Sequence, residues 1–519
     1  MMAYDVLCLR AFFLIFYLFS TVLYAGPWLF AGEPWSTNAS STTKSDIDLL
    51  VSYGLIQAPV LTWPIAWENI GPPLLSDESK EKIKAAPTYL QLAYLRIVSQ
   101  YRLAITTDLK LATFASGGGN INPFRTFDYQ PRSDFNTGGA LEKQGLHWAS
   151  ELAVSYGNYA DVTHDVHLDD SYLYGFLGNW GIGVDKMPRW WSPAYSDSLI
   201  LSANAPALPT ITIQRMRAQA FQTKWLKWIG PWSLTTSLSV GGENVPVPHP
   251  LIWLTNLSFR PIESLQFSIS RIAFFAGDTR PINNPMLINL LIARDNCTPT
   301  NHADPNYCQL YSPGTEHVEF TLSWSPYKLF SHPTTFYLHT IFNDGHLFFG
   351  VKMPWRTSFL AGSNTIFPFL SGYLRAYIEY EYLIQNAYWL WNISDSYTKK
   401  IRITDIYGYS PYPYVYYDKI IGSPLGGESK AINLGGIYSA ANGKSNIFLL
   451  RYLMLNPWGY SGIGYPFQQQ DVLWFSVEHL LALPHGLGQL SGQLGYMKSI
   501  NGAGLKSAPS GFVTWTKSF

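Results

Sequence analysis

Charge is scarce in this chain. Asp, Glu, Lys and Arg make up 13% of its 519 residues, about half the share usual in a soluble domain. The acidic and basic residues balance to a net charge of zero, so no field for a polyanion exists and nucleic acid is excluded as a partner. Long apolar runs are scarce too. After residue 32 none reaches about 18 residues, which excludes helical membrane spans. The chain has no Gly-x-Ser-x-Gly elbow, no His-Glu-x-x-His pair and no phosphate-cradling glycine loop. A non-enzymatic protein without a cofactor or resident metal is therefore expected. Cysteine is nearly absent, with three residues in all. Cys8 falls in the leader described below. Cys297 and Cys308 flank a polar, Pro-containing stretch and read as one disulfide clipping a loop. The alternative is a metal pair with His302, for which no fourth ligand lies nearby.

Aromatic residues are abundant, at 16% of the chain, yet the mean hydropathy is close to zero. Apolar and polar residues must therefore be interleaved. From Leu103 onward they alternate with period two. Val318, Phe320, Leu322 and Trp324 alternate with His317, Glu319, Thr321 and Ser323. Leu374, Ala376, Ile378, Tyr380 and Tyr382 alternate with Tyr373, Arg375, Tyr377, Glu379 and Glu381. A strand with lipid on one side and a watery lumen on the other needs this pattern. A soluble sandwich shows the same alternation, and the chain's two ends decide between them. The last residues place Val513, Trp515 and Phe519 on one strand face and Thr514, Thr516 and Ser518 on the other. This ending resembles the assembly signal of bacterial outer-membrane barrels, read by the barrel assembly machinery. At the other end, residues 1–25 read as a signal peptide: an apolar run follows Arg10, with cleavage expected near 25–31. An uncleaved anchor is the alternative, because the uncharged stretch extends to Gly32.

Residues 33–102 are expected to be helical. Ser45 or Asp46 is a candidate cap, as is Ser76 or Asp77, and Pro87 opens a helix with Leu90, Tyr94, Ile97, Val98 and Tyr101 at helical spacing. This is a plug or a periplasmic base. Residues 103–519 are then a large antiparallel outer-membrane β-barrel. At about 23 residues per strand and connection, the chain yields roughly 16–18 strands. Gly117–Gly119, Gly138-Gly139, Gly241-Gly242, Gly426-Gly427 and Asn442-Gly443 read as turns, the last as a tight hairpin. Residues 275–315 and 394–430 read as extracellular loops.

Two aromatic clusters are candidate ligand platforms. Arg189, Trp190 and Trp191 precede Ser192-Pro193, and Tyr407, Tyr409, Tyr412, Tyr414, Tyr416 and Tyr417 crowd one Pro-containing stretch, the first four of them the favoured contacts. Flat rings with polar tips suit sugar rings and their hydroxyls. An aromatic girdle at the membrane interface is the ligand-free alternative. Asp161, Asp165, His167 and Asp169 share one strand face, whereas the spacing of His164 and His167 points them to opposite faces and argues against a shared metal.

The segment Arg189-Trp190-Trp191-Ser192-Pro193-Ala194-Tyr195-Ser196-Asp197-Ser198-Leu199-Ile200 resembles the Wzi family of outer-membrane capsule assembly lectins. So do Gln214-Arg215, the run Trp225-Leu226-Lys227-Trp228-Ile229-Gly230-Pro231-Trp232, Val247-Pro248-His249, Ser270-Arg271-Ile272, Arg280-Pro281, Gly422-Ser423-Pro424-Leu425-Gly426 and, near the start, Leu50 to Ile56 with Thr62-Trp63-Pro64. The resemblance implies an 18-stranded barrel in the outer membrane of a Gram-negative bacterium, with a periplasmic helical bundle. It implies binding of capsular or exopolysaccharide at the cell surface, beside outer-membrane lipids and polysaccharide export proteins as partners. Ser192 stands where the family pattern has Gly. The loops around Tyr407–Tyr417 and Cys297–Cys308 also depart from it. A sugar porin is the rival reading that length and lumen polarity permit.

Overall fold

A computed structural model describes residues 35–36, 40–159, 164–293, 310–326, 329–342, 345–348, 351–354, 357–384, 407, 412–457, 459, 466–502 and 504–519. The expected signal peptide, the three cysteines with their disulfide, Tyr409 and Asp161 lie outside the described residues.

The chain closes into one antiparallel barrel of 18 staves. In chain order they are β1 (Lys110–Gly119), β2 (Phe135–Gln144), β3 (Trp148–Tyr156), β4 (Val166–His167 continued by Tyr172–Leu177), β5 (Trp180–Asp185), β6 (Thr210–Arg215), β7 (Trp232–Val240), β8 (Leu251–Ile262) and β9 (Leu265–Phe275). There follow β10 (Glu316–Trp324), β11 (Thr334–Phe342), β12 (Thr357–Phe369), β13 (Gly372–Tyr382), β14 (Lys430–Ala440), β15 (Ser445–Leu455), β16 (Gln470–Ala482), β17 (Gln489–Asn501) and β18 (Ala508–Ser518). The two pieces of β4 both pair with β3, so they act as one stave. The seam joins last to first, with Ala112 opposite Ser518 and Gly119 opposite Gly511. Val513 and Phe519 are exposed on the outer face, and the Phe519 amide donates to the Leu111 carbonyl at 2.8 Å.

The alternation sorts side chains as expected. Phe320, Ile378 and Tyr380 are exposed on the outside, while Glu319, Thr321, Arg375, Glu379 and Glu381 are buried within. Among the described residues no helix is long and apolar enough to cross a membrane. The strands do the spanning, because a closed ring leaves no unpaired backbone edge in lipid. Short turns gather at one end, including the one with Gly443 in the left-handed region at φ 79°. The long connections gather at the other, which by the usual asymmetry is the extracellular end.

Two of these glycine runs are not turns. Gly138-Gly139 lies inside β2 and Gly117–Gly119 ends β1. A Cβ on Gly138 would sit 2.5 Å from the Val154 carbonyl and 2.7 Å from the Phe114 ring. Close approach within the wall, not chain reversal, selects glycine there.

A helical base at the short-turn end holds α1 (Ser41–Ser52), α2 (Gly71–Leu75), α3 (Asp77–Lys84) and α4 (Thr88–Ala104). Helix α4 runs to Ala104 and β1 begins at Lys110, so the alternation starts later than Leu103. Ser40 caps α1, its side chain accepting from the Thr43 amide. Ser45 and Asp46 lie within that helix because their side chains are engaged elsewhere. Arg375 Nε donates to Ser45 Oγ at 2.7 Å, and Arg96 grips Asp46 through two bonds of 2.7 Å. Ser76 caps α3. Leu90, Tyr94, Ile97, Val98 and Tyr101 of α4 are buried against Ile47, Leu50 and Val51 of α1. Arg260, at the β8–β9 turn, ties barrel to base through the Val51 carbonyl at 2.9 Å and the Ile56 carbonyl at 2.5 Å.

Candidate functional site

The lumen is filled by three chain segments from the extracellular end. The first runs between β1 and β2. Its Asp128 accepts the Ser41 amide at 2.7 Å, and the Ser41 hydroxyl as well, so it meets the start of α1. Burial pushes the Asp128 carboxyl above the ordinary range, partly offset by those bonds.

The second segment, residues 186–209, leaves β5 at the mouth, descends and returns to β6. Trp190 and Trp191 pair antiparallel with Trp63 and Thr62. Phe127 stands edge-on to both Trp63 and Trp190, at 5.3 and 5.7 Å. Further along the segment, Glu379 of β13 receives the Tyr195 amide at 2.8 Å, the Ser196 amide at 2.9 Å and the Tyr337 hydroxyl at 2.5 Å. One carboxylate thus holds a backbone turn that has no sheet to pair with. The Tyr195 hydroxyl reaches Asp48 of α1 at 2.7 Å. Asp197 bonds the Ser423 hydroxyl and the Ser198 amide. Burial, reinforced by the neighbouring Glu381 carboxyl, pushes its pKa well above the ordinary carboxylate range.

The third segment precedes β14. Its phenols cap carbonyls of the second: Tyr407 donates to Leu199 at 2.7 Å and Tyr414 to Ile200 at 2.6 Å, while Tyr412 donates to Ala276 at 2.8 Å. Asn204 closes the contact by donating to the Ile420 carbonyl at 2.8 Å. Much of residues 275–315 and 394–430 was expected as open loop. The described part of 407–429 instead turns inward and packs.

This fixes the position of the aromatic residues singled out in the sequence. Trp190, Trp191, Tyr407, Tyr412 and Tyr414 are buried to 3% exposure or less, and Arg189 to 8%. Arg189 is held by Asp185 at 2.8 Å, Thr210 at 3.0 Å and Thr212 at 3.1 Å. They form the body of the stopper rather than an open platform. The physical reason is their pairing: the three phenols each satisfy a carbonyl of another segment, and the Trp190 indole that of Ala194, which an exposed ring would leave to water.

Above the stopper lies a rim of exposed polar and aromatic groups. Its footing is the buried pair Tyr159 and His167, which stack at 3.6 Å with ring planes 3° apart. The exposed His164 sits 5.2 Å from His167 and 6.1 Å from Tyr417. The odd spacing of the two histidines does not part them, because only Val166–His167 is strand there. Among the described residues no group of three or more metal-ligating side chains forms. Tyr417 and the exposed Asp418 are the tip of a small hairpin, both in the left-handed region. The turn at Gly242 adjoins Tyr417, and His249 behind it contacts Asp278 at 2.8 Å. Tyr129, 53% exposed, is fixed by Asn136 at 3.1 Å. Arg125 and Arg132 brace the first segment through carbonyls, Arg132 reaching Ala203, Asn204 and Ala205. Sequence reasoning placed Tyr417 in the aromatic cluster at 407–417 without reading its hairpin, and passed over Tyr129. The signal at Tyr417 was an aromatic-Asp pair between two short β-branched runs, which marks a hairpin tip. A cavity of about 20 Å³ beside Lys44 and Tyr337 has room for about one water molecule and none for a sugar.

Comparison with known proteins agrees with this architecture. The profile of the family "Capsule assembly protein Wzi" matches residues 121–497. An uncharacterized 55.8 kDa protein in the cps region of Klebsiella pneumoniae is 25% identical over 324 residues, which is 62% of this chain and 59% of that protein. The chain thus spans less than two thirds of that relative. The structure of Wzi from Escherichia coli, an outer membrane protein involved in group 1 capsule assembly and a carbohydrate-binding β-barrel, superposes with a TM-score of 0.74. It is 20% identical and covers 93% of this chain and 99% of its own. Pseudomonas aeruginosa OprD gives a TM-score of 0.45 at 8% identity, over 79% of this chain and 93% of its own. With most of its length matched by the profile, the chain belongs to the Wzi family of capsule assembly proteins.

Proposed function

We propose that this protein is a non-enzymatic lectin of the outer membrane, which holds capsular or related exopolysaccharide at the cell surface. The observation that carries this reading is the stoppered lumen. A wall wide enough for a channel is filled by segments bonded to one another, which supports display at the mouth over passage through it. The rim then supplies what a sugar polymer needs: Tyr129, Tyr417 and His164 as faces for C–H stacking, with Asp165 and Asp418 for hydroxyls. Arg189, Trp190, Trp191, Tyr407, Tyr412 and Tyr414 act from below, fixing that rim. Many weak contacts repeated along a polymer give retention. The last strand, with Val513, Trp515 and Phe519, serves insertion by the barrel assembly machinery, and the helical base is the face available to an export partner.

The test is binding of the detergent-purified, folded barrel to polysaccharide from its own source cell. Saturable binding at moderate salt is expected, weakened about tenfold in a His164→Ala, Tyr417→Ala double variant, as loss of two stacking contacts of about 0.7 kcal/mol each predicts. Folded protein that binds no polysaccharide overturns the reading.

A further inference from the structure

The connection from β6 to β7, residues 216–231, is a resemblance-bearing stretch that the stopper and rim do not use. It lies at the short-turn end. The Met216 amide donates to the Asn179 carbonyl at 3.0 Å, and Arg217 pairs with Glu68 of the helical base at 2.8 Å. A three-residue 3-10 turn, Lys227–Ile229, shapes its far side. On this connection Trp225 is 74% exposed and Trp228 65% exposed, beside the exposed Lys224 and Lys227. Its sequence holds Arg217, Lys224 and Lys227 and no acidic residue, in a chain of zero net charge. Two exposed indoles this close together call for an apolar neighbour.

The geometry gives that neighbour. Trp232 begins β7 on the same outward face as Leu238 and Val240, both exposed on the barrel's outer surface. Phe221 of the connection stacks on Trp232 with centroids 4.8 Å apart and planes 12° apart. Arg215, at the end of β6, lies over the same ring at 3.9 Å and donates to the Gln219 carbonyl at 3.1 Å. The connection is thereby folded against the lipid-facing side of the wall, not under the lumen. Around it the outward rim is aromatic: Trp232 opposes Phe259, Phe259 opposes Phe267, and Trp324 opposes Phe336. Such a girdle marks the level of the headgroups.

We propose that residues 223–230 form a phospholipid-binding anchor in the inner leaflet of the outer membrane. Trp225 and Trp228 enter the headgroup–acyl boundary, and Lys224 and Lys227 bind lipid phosphates. The barrel already holds the segment at this depth, so the anchor sets tilt and rotation of the barrel and ties the helical base to the membrane surface.

The test uses the full-length folded barrel with Cys8, Cys297 and Cys308 replaced by Ser. A bimane label is placed through Trp225→Cys or Trp228→Cys, and through Asp77→Cys on α3 as the aqueous control. Folding is checked by heat-modifiable migration. In vesicles of phosphatidylethanolamine and phosphatidylglycerol, brominated near the headgroup, the labels at 225 and 228 should lose about half their fluorescence or more, while iodide quenches only the label at 77. Labels at 225 and 228 that behave like the one at 77 overturn the proposal and leave a protein-docking surface in its place. With both tryptophans intact, Lys224→Glu, Lys227→Glu should lower phosphatidylglycerol retained in native mass spectrometry about fivefold or more. Unchanged retention overturns the phosphate contacts.

Discussion

The wall and the stopper are built from the same residue types under opposite rules. In the wall each residue faces a partner on the next strand, and its environment follows from whether its number is odd or even. In the stopper, contacts join residues far apart in sequence: Tyr407 meets Leu199, Tyr195 meets Glu379, and Asp128 meets Ser41. The wall tolerates change because lipid accepts any apolar shape. The stopper does not, because buried groups such as Asp128, Asp197, Tyr407 and Tyr414 each hold a particular partner, and leaving one such bond unmade costs about 1–3 kcal/mol.

The contrast is broken most sharply at Glu379. Replacement by Ala leaves two amides and a phenol without their acceptor, an expected loss of about 3 kcal/mol or more. The second segment should then detach, and single-channel recordings should show current through a barrel whose wall still folds. A silent, equally stable variant would mean that the carboxylate does not hold the segment. The next effect is one of pH. Asp197 has a folded pKa raised above its unfolded value of about 3.9. The folded state therefore binds more protons above that point, so its stabilisation is full below about pH 4 and is lost as pH rises toward the folded pKa. Asp197→Asn should flatten the fall in unfolding midpoint above pH 4 by urea titration in vesicles. A slope unchanged from the parent would refute that assignment. The smallest effect belongs to the outer face. Ile378→Leu should change stability by less than about 0.5 kcal/mol in the same titration, and a larger loss would show that the wall, too, depends on shape.

This division also explains what could be read from sequence. The alternations at Val318–Trp324 and Leu374–Tyr382 lay in single strands, so local pattern was enough to orient them. The same holds for Pro87 and Ser76, which act within a turn of where they stand. Gly138-Gly139 misled because the ring and carbonyl that demand glycine belong to Phe114 and Val154, on two different strands. The burial of Tyr407, Tyr412 and Tyr414 was illegible for a related reason. Their density could be read, but the carbonyls that draw these three inward belong to residues 199, 200 and 276. His164 and Tyr417 were noticed singly, but their meeting with Tyr129 was not legible, because the rim comes together only when three separate connections meet at the mouth.

Tyr129 stands exposed at the rim, and the next residue, Asp128, grips the first turn of α1. From α1, Asp46 passes to Arg96 and so to the helix that floors the barrel. A polymer tugging at the surface would therefore load a continuous mechanical linkage reaching the opposite side of the membrane. The cap at the outer end and the floor at the inner end are thus tied through the same few bonds, as a drumhead is to its hoop.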